Sequence, residues 1–137
     1  MLCVSYLKTA QFIKTMAKHN EIGNIGEDIA HTFLIDKGMQ VLERNWRYKR
    51  AELDIIAMEA ETMVFIEVKT RSDDILGSPE NAVDTRKRKL MIRAAIAYMH
   101  HSKHDWTIRF DIVSVILRND KPQIDHIKDA FFPELAE

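Results

Sequence analysis

The sequence predicts a single α/β domain in which a mixed central sheet is flanked by helices, in the order α-β-β-β-α-β. Three observations support this class. The chain has 137 residues, which is enough for one domain with a single hydrophobic core. Short apolar runs rich in β-branched residues predict buried strands, and two longer stretches with apolar residues at three- and four-residue steps predict amphipathic helices. No apolar run reaches the length of a membrane span.

The first helix is expected to begin at Asn20, a good N-cap residue, and to run to about Lys37 before Gly38 ends it. Gly23 and Gly26 lie on or beside its apolar stripe, which predicts a close approach to another backbone. The residues expected to form the buried stripe are Ile22, Ile25, Ile29 and Phe33.

Three strands with short connections are predicted next. They cover Val41 to Tyr48, Glu52 to Met58 and Thr62 to Thr70, and Trp46 is expected to face inward. Because consecutive strands joined by tight turns pair with each other, these three are expected to form an antiparallel meander.

A second helix and a fourth strand complete the predicted core. Residues Ser72 to Asn81 read as a loop, after which Asp84 can cap a helix through about His101. Trp106 to Leu117 is the next strand and is buried by its composition. The inward stripe of the second helix is expected at Leu90, Met91, Ala94, Ala95 and Tyr98.

The predicted core domain covers residues 16–118 and is flanked by two extensions. Residues 1–15 form an N-terminal extension, and Met16 is an alternative start of the chain. Residues 119–137 form a C-terminal extension that is expected to pack its aromatic side chains on the core. Lys8 interrupts any signal-peptide core, and the one cysteine, Cys3, allows no intramolecular disulfide. A reducing, cytoplasmic setting is therefore expected.

Charge is unevenly distributed along a chain whose net charge is only −1. Arg44 to Arg50 contains four basic residues and no acid, and Arg86 to Arg93 contains five basic residues and no acid. Such segregation can present one basic face to phosphates. Two separate, solvated surface clusters are the alternative that charge alone leaves open.

Acidic and basic side chains occur where two predicted strands would be buried. An interior charge needs a partner or a metal, and Glu67 and Lys69 share one strand face because side chains alternate along a strand. Carboxylates near a lysine suit a divalent cation that binds a phosphate, with Asp54, Glu67 and the Val68 carbonyl as hard oxygen ligands. Lys69 would then orient a water or stabilise negative charge. A purely structural lysine–carboxylate cluster at a strand end is the alternative.

The arrangement of Asp54 with Glu67-x-Lys69 resembles the PD-(D/E)xK nuclease superfamily. The thirteen positions between the two acids suit two strands joined by a hairpin. From Ile22 to Val115 the chain also resembles the YraN-like family of predicted endonucleases, which is similar to archaeal Holliday junction resolvases. The matching segments are Gly23-x-x-Gly26-Glu27, Leu42 to Arg47 (LERNWR), Glu52 to Ile56 (ELDII), Phe65 to Arg71 (FIEVKTR), Gly77-x-Pro79-Glu80, Ala82-Val83, Lys87, Ala95-x-x-Tyr98 and Arg109 to Val113 (RFDIV).

The resemblance implies a restriction-endonuclease-like fold and a nuclease that cleaves DNA, including branched or structured DNA, with Mg²⁺ or Mn²⁺. It implies catalytic roles for Glu27, Asp54, Glu67 and Lys69, with Glu27 reaching the metal directly or through water. Leu53 stands where the superfamily motif has its proline, which is a departure from the pattern. A resolvase must cut two strands symmetrically, so a homodimer is an attractive expectation.

Four basic residues are candidate contacts to nucleic acid, namely Arg47, Arg71, Lys87 and Arg88, although arginines that flank a strand also form surface ion pairs. Asp111, inside a buried strand, is expected to have a structural role. His100, His101 and His104 are expected to be solvated side chains at a helix end. Two further functions stay open: a nucleic-acid-binding module of this fold without catalysis, and a protein-interaction adaptor.

Overall fold

The computed structural model of the chain describes residues 19–72, 84–105 and 107–132. The expected N-terminal extension, the alternative start at Met16, all but the first residue of the expected loop and Trp106 lie outside these ranges. The described residues form α1 (His19–Asp36), β1 (Gln40–Tyr48), β2 (Ala51–Glu59), β3 (Thr62–Ser72), α2 (Thr85–Ser102), β4 (Ile108–Leu117) and β5 (Gln123–Phe131).

The five strands form one sheet whose spatial order follows the chain, β1-β2-β3-β4-β5. β1 to β3 pair antiparallel, as the short connections predict. β3 and β4 pair in parallel, and the chain between them includes α2. A parallel pair needs such a long crossover connection. The predicted α/β class with a mixed sheet flanked by helices is therefore confirmed.

Each helix covers one face of the sheet. On the α2 face, Met91 and Tyr98 belong to a buried cluster with Phe65 and Phe110. On the α1 face, Leu34 belongs to a second buried cluster with strand residues that include Val64, Ile66 and Val113. A sheet that is covered on both faces needs nearly continuous apolar strands, which explains the runs in the sequence. Neither described helix combines the length and the apolar character that a membrane span requires.

The buried stripe of α1 lies one position away from the expected one. Ile25 is 39% exposed, whereas Gly26, Ala30 and Leu34 are buried. A Cβ atom added at Gly26 would lie 1.7 Å from Thr70 Oγ1, so the glycine lets α1 approach β3 closely. Ile29 and Phe33 of the predicted stripe do pack against the buried cluster, but the prediction was wrong for Ile25, because the close approach places small residues at the centre of the contact. A Cβ at Gly23 would meet nothing within 4 Å.

The helix ends agree with the sequence signals at three of four positions. Gly38 ends α1 with a φ of 91°, and Met39 N–H donates to Leu34 O in the bond typical of a glycine-terminated helix. Asp84 caps α2 by accepting a hydrogen bond from Lys87 N at 2.8 Å. α2 ends at Ser102, close to the predicted position. The predicted cap at Asn20 is wrong, because Asn20 lies inside α1.

The C-terminal extension contains a strand that the sequence analysis did not predict. β5 pairs antiparallel with β4, and the ring of Phe131 stacks on that of Phe110 at 4.9 Å between centroids. Phe132 is 69% exposed, so only one of the two expected aromatic side chains packs on the core. β5 is an edge strand with many charged residues, a composition that protects sheet edges but hides them from hydrophobic patterning.

Candidate active site

Asp54 and Glu67 lie where two central strands separate. The pairing of β2 with β3 ends at Ile55 and Ile66, one residue short of each acid. Leu53 shares the α2-side cluster with Ile56, while Ile55 belongs to the α1-side cluster. The alternation of side chains along β2 is therefore reset at Asp54.

Opposite Asp54 on β1, Asn45 has a φ of 52°, a left-handed conformation that is uncommon for a residue other than glycine. Both strands are thus irregular at the same level of the sheet. Irregular positions in a sheet re-aim side chains and are frequent beside active sites.

The two acids at this separation are only partly compensated by protein groups. Asp54 Oδ2 accepts a hydrogen bond from Val68 N at 2.8 Å. Glu67 is 2% exposed, and among the described residues its buried Oε2 has no hydrogen-bond partner. Burial, together with the negative charge of Glu67, raises the pKa of Asp54 to about 8.

Lys87 is the cation that contacts this pair. Its Nζ forms an ion pair with Glu67 Oε1, and burial, which alone would lower the pKa of Lys87, is outweighed by the attraction of Glu67, which raises it. Lys69 lies two residues after Glu67 and shares its strand face. In the described part of the chain, no ion pair joins Lys69 to Glu67 or Asp54.

Glu27 reaches the same region from α1. With its amide nitrogen turned toward the carboxylates, Asn45 donates to Glu27 Oε2 at 2.9 Å and to Glu52 Oε1 at 3.1 Å. Burial raises the pKa of Glu27, and the charges of Glu52 and Glu67 raise it further. The left-handed backbone of Asn45, a conformation in which asparagine is enriched among non-glycine residues, therefore positions a donor between two acids, one from a helix and one from a strand.

Glu27, Asp54 and Lys87 border a cleft of about 460 Å³, whereas Glu67 and Lys69 are not among the residues that line it. We call it the acidic cleft. Acids from α1 and β2 face cations from the β1–β2 turn and from the first turn of α2 across it. It is lined by Glu27, Glu52, Asp54, Asp84, Arg50, Arg86, Lys87, Ala51, Leu90 and Met91.

The model of uncharacterised protein family UPF0102 matches residues 26–115. The chain belongs to this family. The resemblance to the YraN-like family is thereby confirmed, and the matched residues include all of Glu27, Asp54, Glu67 and Lys69.

Curated UPF0102 proteins align over most of this chain and nearly all of their own length. A protein of Bacteroides thetaiotaomicron is 48% identical over 88% of this chain and 99% of its own. One of Parabacteroides distasonis is 45% identical over 85% and 97%, and one of Rhodococcus opacus is 38% identical over 85% and 100%. A solved structure, SfsA of Pyrococcus furiosus in complex with Ca²⁺, aligns with a TM-score of 0.39 and 12% identity over 74% of this chain and 62% of that chain.

The residues of this UPF0102 member fit a hard divalent cation at Asp54 and Glu67. The buried, unpartnered Glu67 Oε2 is an oxygen ligand without a protein donor, and Asp54 lies beside it. Mg²⁺ is often held by one or two carboxylates and keeps several waters. Among residues 19–72, 84–105 and 107–132, no three His, Cys, Asp or Glu side chains form a ready metal cluster. The fit therefore rests on a two-carboxylate site.

The four candidate nucleic-acid contacts are not brought together. Lys87 lines the acidic cleft, whereas Arg47 pairs with Glu52 at 3.5 Å on the surface. Arg88 lies over the ring of Phe131 at 5.3 Å, and Arg71 lies near the end of β3. The cleft instead adds Arg50 and Arg86, both of which belong to the basic segments of the sequence.

Glu52 and Asn45 are the other site residues that sequence reasoning did not assign. Glu52 precedes Asp54 by two positions, a signal that was visible but without a role in the family motif. No local pattern marks Asn45, whose position depends on its backbone conformation.

A second group of charges, centred on the buried Asp111, lies on β4, β5 and the end of β2. Asp111 accepts hydrogen bonds from Arg109 Nε at 2.8 Å and Nη2 at 2.9 Å, from His126 Nε2 at 2.8 Å and from Asp129 N at 2.9 Å. Burial alone would raise the pKa of Asp111, but these donors lower it. The expected structural role of Asp111 is confirmed. We call Asp111 and its four neighbours the arginine cluster, which comprises Glu59, Arg109, Asp111, His126 and Lys128.

The histidines at the end of α2 do not form a metal site within the described residues. His100 and His101 are exposed, as expected for solvated side chains, and His104 is partly buried.

Proposed function

We propose that this protein is a divalent-metal-dependent nuclease that hydrolyses phosphodiester bonds in DNA, including branched or structured DNA. The observation that carries the proposal is the unpartnered, buried Oε2 of Glu67 beside Asp54 where β2 and β3 separate. Membership of UPF0102 supports the position of these residues without naming an activity.

The charge balance of the acidic cleft favours a cation. Removal from water, together with the negative charge of the buried Glu67, opposes ionisation of the partly buried Asp54 and raises its pKa to about 8. Lys87 supplies a single positive charge, and within the described residues its Nζ forms an ion pair with Glu67 Oε1 and not with Asp54. A divalent cation would compensate both acids and restore their ionised forms at neutral pH.

Each residue of the candidate site then has a defined role. Asp54, Glu67 and the Val68 carbonyl would hold the cation, and Glu27 would complete the acidic group directly or through water. The cation supplies a water of lowered pKa and withdraws charge from the phosphate when it is bound. Lys69 orients the attacking water and stabilises negative charge at the phosphate.

The basic side chains of the cleft have a different role. Arg50 and Arg86 stand on the wall of the acidic cleft and are suited to hold the flanking phosphates of the strand. Lys87 keeps the carboxylate of Glu67 in position through their ion pair. Because phosphate contacts carry no base information, the cleft favours recognition of DNA shape over sequence.

A nucleic-acid-binding module without catalysis is the second candidate. Lys87 already occupies one oxygen of Glu67, and the described residues contain no three-ligand metal cluster. In that case the cations of the cleft would bind phosphates while the acids served only to orient Lys87.

The deciding experiment is cleavage of branched and linear DNA in Mn²⁺ or Mg²⁺ by the wild type and by Asp54→Asn, Lys69→Ala and Asp125→Asn. Asp125 is an exposed acid on β5, so its variant is a charge-matched control. We expect Asp125→Asn to cleave like the wild type, and Asp54→Asn and Lys69→Ala to lose at least about 10²-fold in rate. Equal cleavage by all four proteins would indicate a contaminating nuclease and would remove the proposal.

Titration of Mn²⁺ by calorimetry separates the two candidates. The nuclease requires a metal site that Asp54→Asn abolishes, whereas the binding module predicts salt-dependent DNA binding without specific uptake of the metal. Sedimentation with a branched substrate tests the further expectation that two copies act together to cut two strands symmetrically.

A further inference from the structure

A second groove, of about 620 Å³, lies between the β1–β2 turn and the outer face of α2. It shares no lining residue with the acidic cleft. The groove is lined by Tyr48, Lys49, Arg93, Ile96, Ala97 and His100.

The groove is suited to a polyanion. Lys49, Arg93 and His100 are all exposed, and among the described residues that line the groove none is acidic. The whole of α2 contains no Asp or Glu from Thr85 to Ser102. A concave surface with one sign of charge concentrates ligands of the opposite sign.

Aromatic and apolar side chains distinguish this groove from a purely basic surface. The rings of Trp46 and Tyr48 are nearly parallel, with 6.4 Å between centroids and an interplanar angle of 5°. Trp46 is in turn anchored edge-on against the buried Tyr98 at 5.2 Å. Ile96 is 49% exposed beside them. Sites for single-stranded nucleic acid combine a basic groove with aromatic surfaces on which bases stack.

The groove and the acidic cleft are lined by neighbouring parts of the same two elements. Lys49 and Arg50 are neighbours in the β1–β2 turn, and one lines the groove while the other lines the cleft. On α2, Arg86 lines the cleft, whereas Arg93 and His100 line the groove. Steps of seven residues keep these side chains on one face of the helix, and the rise of 1.5 Å per residue spreads them over about 21 Å. This length matches about six nucleotides of a DNA strand at about 3.4 Å each.

We propose that this groove, built by Tyr48, Lys49, Arg93 and His100, binds a single-stranded segment of DNA whose adjoining part occupies the acidic cleft. The proposal rests on the proposed nuclease function and specifies its substrate class as DNA in which a duplex meets a single strand. The cations contact the phosphates, and the exposed side of the Tyr48 ring, over which Lys49 Nζ lies at 5.3 Å, receives a base once the flexible lysine moves aside.

The test is fluorescence anisotropy in EDTA, so that binding is measured without cleavage. The probes are a labelled duplex with a single-stranded tail and the same duplex with a blunt end. The variants are Lys49→Ser with Arg93→Ser, and Tyr48→Leu. Lys37→Ser with Lys121→Ser is the control, because it removes two exposed cations outside the groove and the cleft.

We expect the double variant Lys49→Ser/Arg93→Ser to bind the tailed duplex roughly tenfold more weakly than the control. Its slope of log affinity against log salt should fall by about 1.4, since each contact to a single strand contributes about 0.7. Tyr48→Leu should lose roughly fivefold or more on the tailed duplex, because one stacked base is lost, and less than about twofold on the blunt duplex.

Two results would overturn the proposal. One is unchanged affinity of the groove variants for the tailed duplex relative to the control. The other is an equal loss on tailed and blunt duplexes, which would mean that the groove contacts duplex DNA. Tail-dependent binding without any metal-dependent cleavage would support single-strand binding in the groove and contradict the proposed nuclease function. Cleavage without tail-dependent binding would support the nuclease function and contradict single-strand binding in the groove.

Discussion

Glu67 and Asp111 are buried acids on neighbouring, parallel-paired strands, and they are compensated very differently. On β3, the residue opposite Asp111 is Ile66, which immediately precedes Glu67. The two acids point to opposite faces of the sheet, Asp111 toward α1 and Glu67 toward α2. Asp111 accepts four hydrogen bonds from protein donors. Among the described residues, Glu67 has one cation on Oε1, whereas Oε2 accepts no hydrogen bond from an Arg, His or backbone donor and lies beside the carboxyl of Asp54. Burial is therefore the same in both places, and only the supply of donors differs.

This difference separates a structural acid from a functional one. A buried carboxylate whose lone pairs are met by Arg, His and backbone donors stabilises the fold, and its pKa is lowered. A buried carboxylate that lacks donors makes the fold less stable until a ligand from outside compensates it. The arginine cluster and the acidic cleft are the two cases within one sheet.

The largest expected effect is the loss of stability in Asp111→Asn. The substitution removes the carboxylate of Asp111 from the partly buried guanidinium of Arg109, which keeps Glu59 as its acidic partner among the described residues. It also places the NH₂ group of an amide against N–H donors, from which it cannot accept a hydrogen bond. We expect the free energy of unfolding to fall by about 3 to 5 kcal/mol, measured by urea denaturation. Asp125→Asn, at an exposed acid on the same edge of the sheet, should stay within about 0.5 kcal/mol of the wild type. A similar small change in Asp111→Asn would remove the distinction between the two clusters.

A second large effect is expected where α1 meets β3, at the residue before Glu27. Gly26→Ala places a Cβ atom against Thr70, and we expect a loss of about 1 to 3 kcal/mol from overpacking. Gly23→Ala is the matched control, because its Cβ meets nothing within 4 Å. It should gain up to about 1 kcal/mol from the higher helix propensity of alanine. Thermal unfolding of both variants checks the pair, and equal shifts would contradict the close approach.

The sequence allowed prediction of the sheet and of most of the candidate site for specific reasons. The apolar runs around Ile55 and Ile66 are long because both sheet faces are buried, so their strands could be recognised. Asp54, Glu67 and Lys69 were visible as charges where such strands should be apolar. Glu27 came from the family resemblance, because a carboxylate at the border of a helix face is otherwise unremarkable.

The parts that could not be predicted depend on contacts distant in sequence. β5 lacks a hydrophobic pattern because it is a charged edge strand. The buried stripe of α1 differs from the predicted one because Gly26 packs against Thr70, a contact that only the structure reveals. Lys87 was assigned to DNA from the charge of its segment, but the crossover connection brings it to Glu67. Asn45 has a positive φ that asparagine tolerates, but nothing in the sequence shows that this conformation occurs inside a strand opposite Asp54.

A smaller effect of opposite sign is expected for the acidic cleft. Asp54→Asn replaces a group whose ionisation is opposed by burial and by Glu67, and it keeps an oxygen that can accept from Val68 N–H. Without added metal, we expect this variant to be more stable than the wild type by roughly 1 to 2 kcal/mol, as is common when strained site residues are replaced. With saturating Mg²⁺ the wild type should gain stability and Asp54→Asn should not. Destabilisation as large as that of Asp111→Asn would show that Asp54 is structural.

The finest distinction between the clusters is in their dependence on pH. Asp54 has a folded pKa of about 8 against an unfolded value of about 3.9. Between these values the unfolded chain releases a proton that the folded protein keeps, so the free energy of unfolding falls progressively as pH rises from about 4 to 8. The advantage of Asp54→Asn over the metal-free wild type should therefore be largest above pH 8 and vanish near pH 4.

Asp111 and Glu59 have lowered pKa values, so the stability that they contribute is present above their unfolded values of about 4 and is lost as pH falls further. The test is urea unfolding of the wild type, Asp54→Asn and Asp111→Asn across this pH range. The difference in free energy of unfolding between Asp54→Asn and the wild type should grow toward high pH. The difference between Asp111→Asn and the wild type should shrink toward low pH, because protonation of Asp111 removes the same interactions as the substitution. Parallel profiles for both variants would mean that the two buried acids are compensated alike.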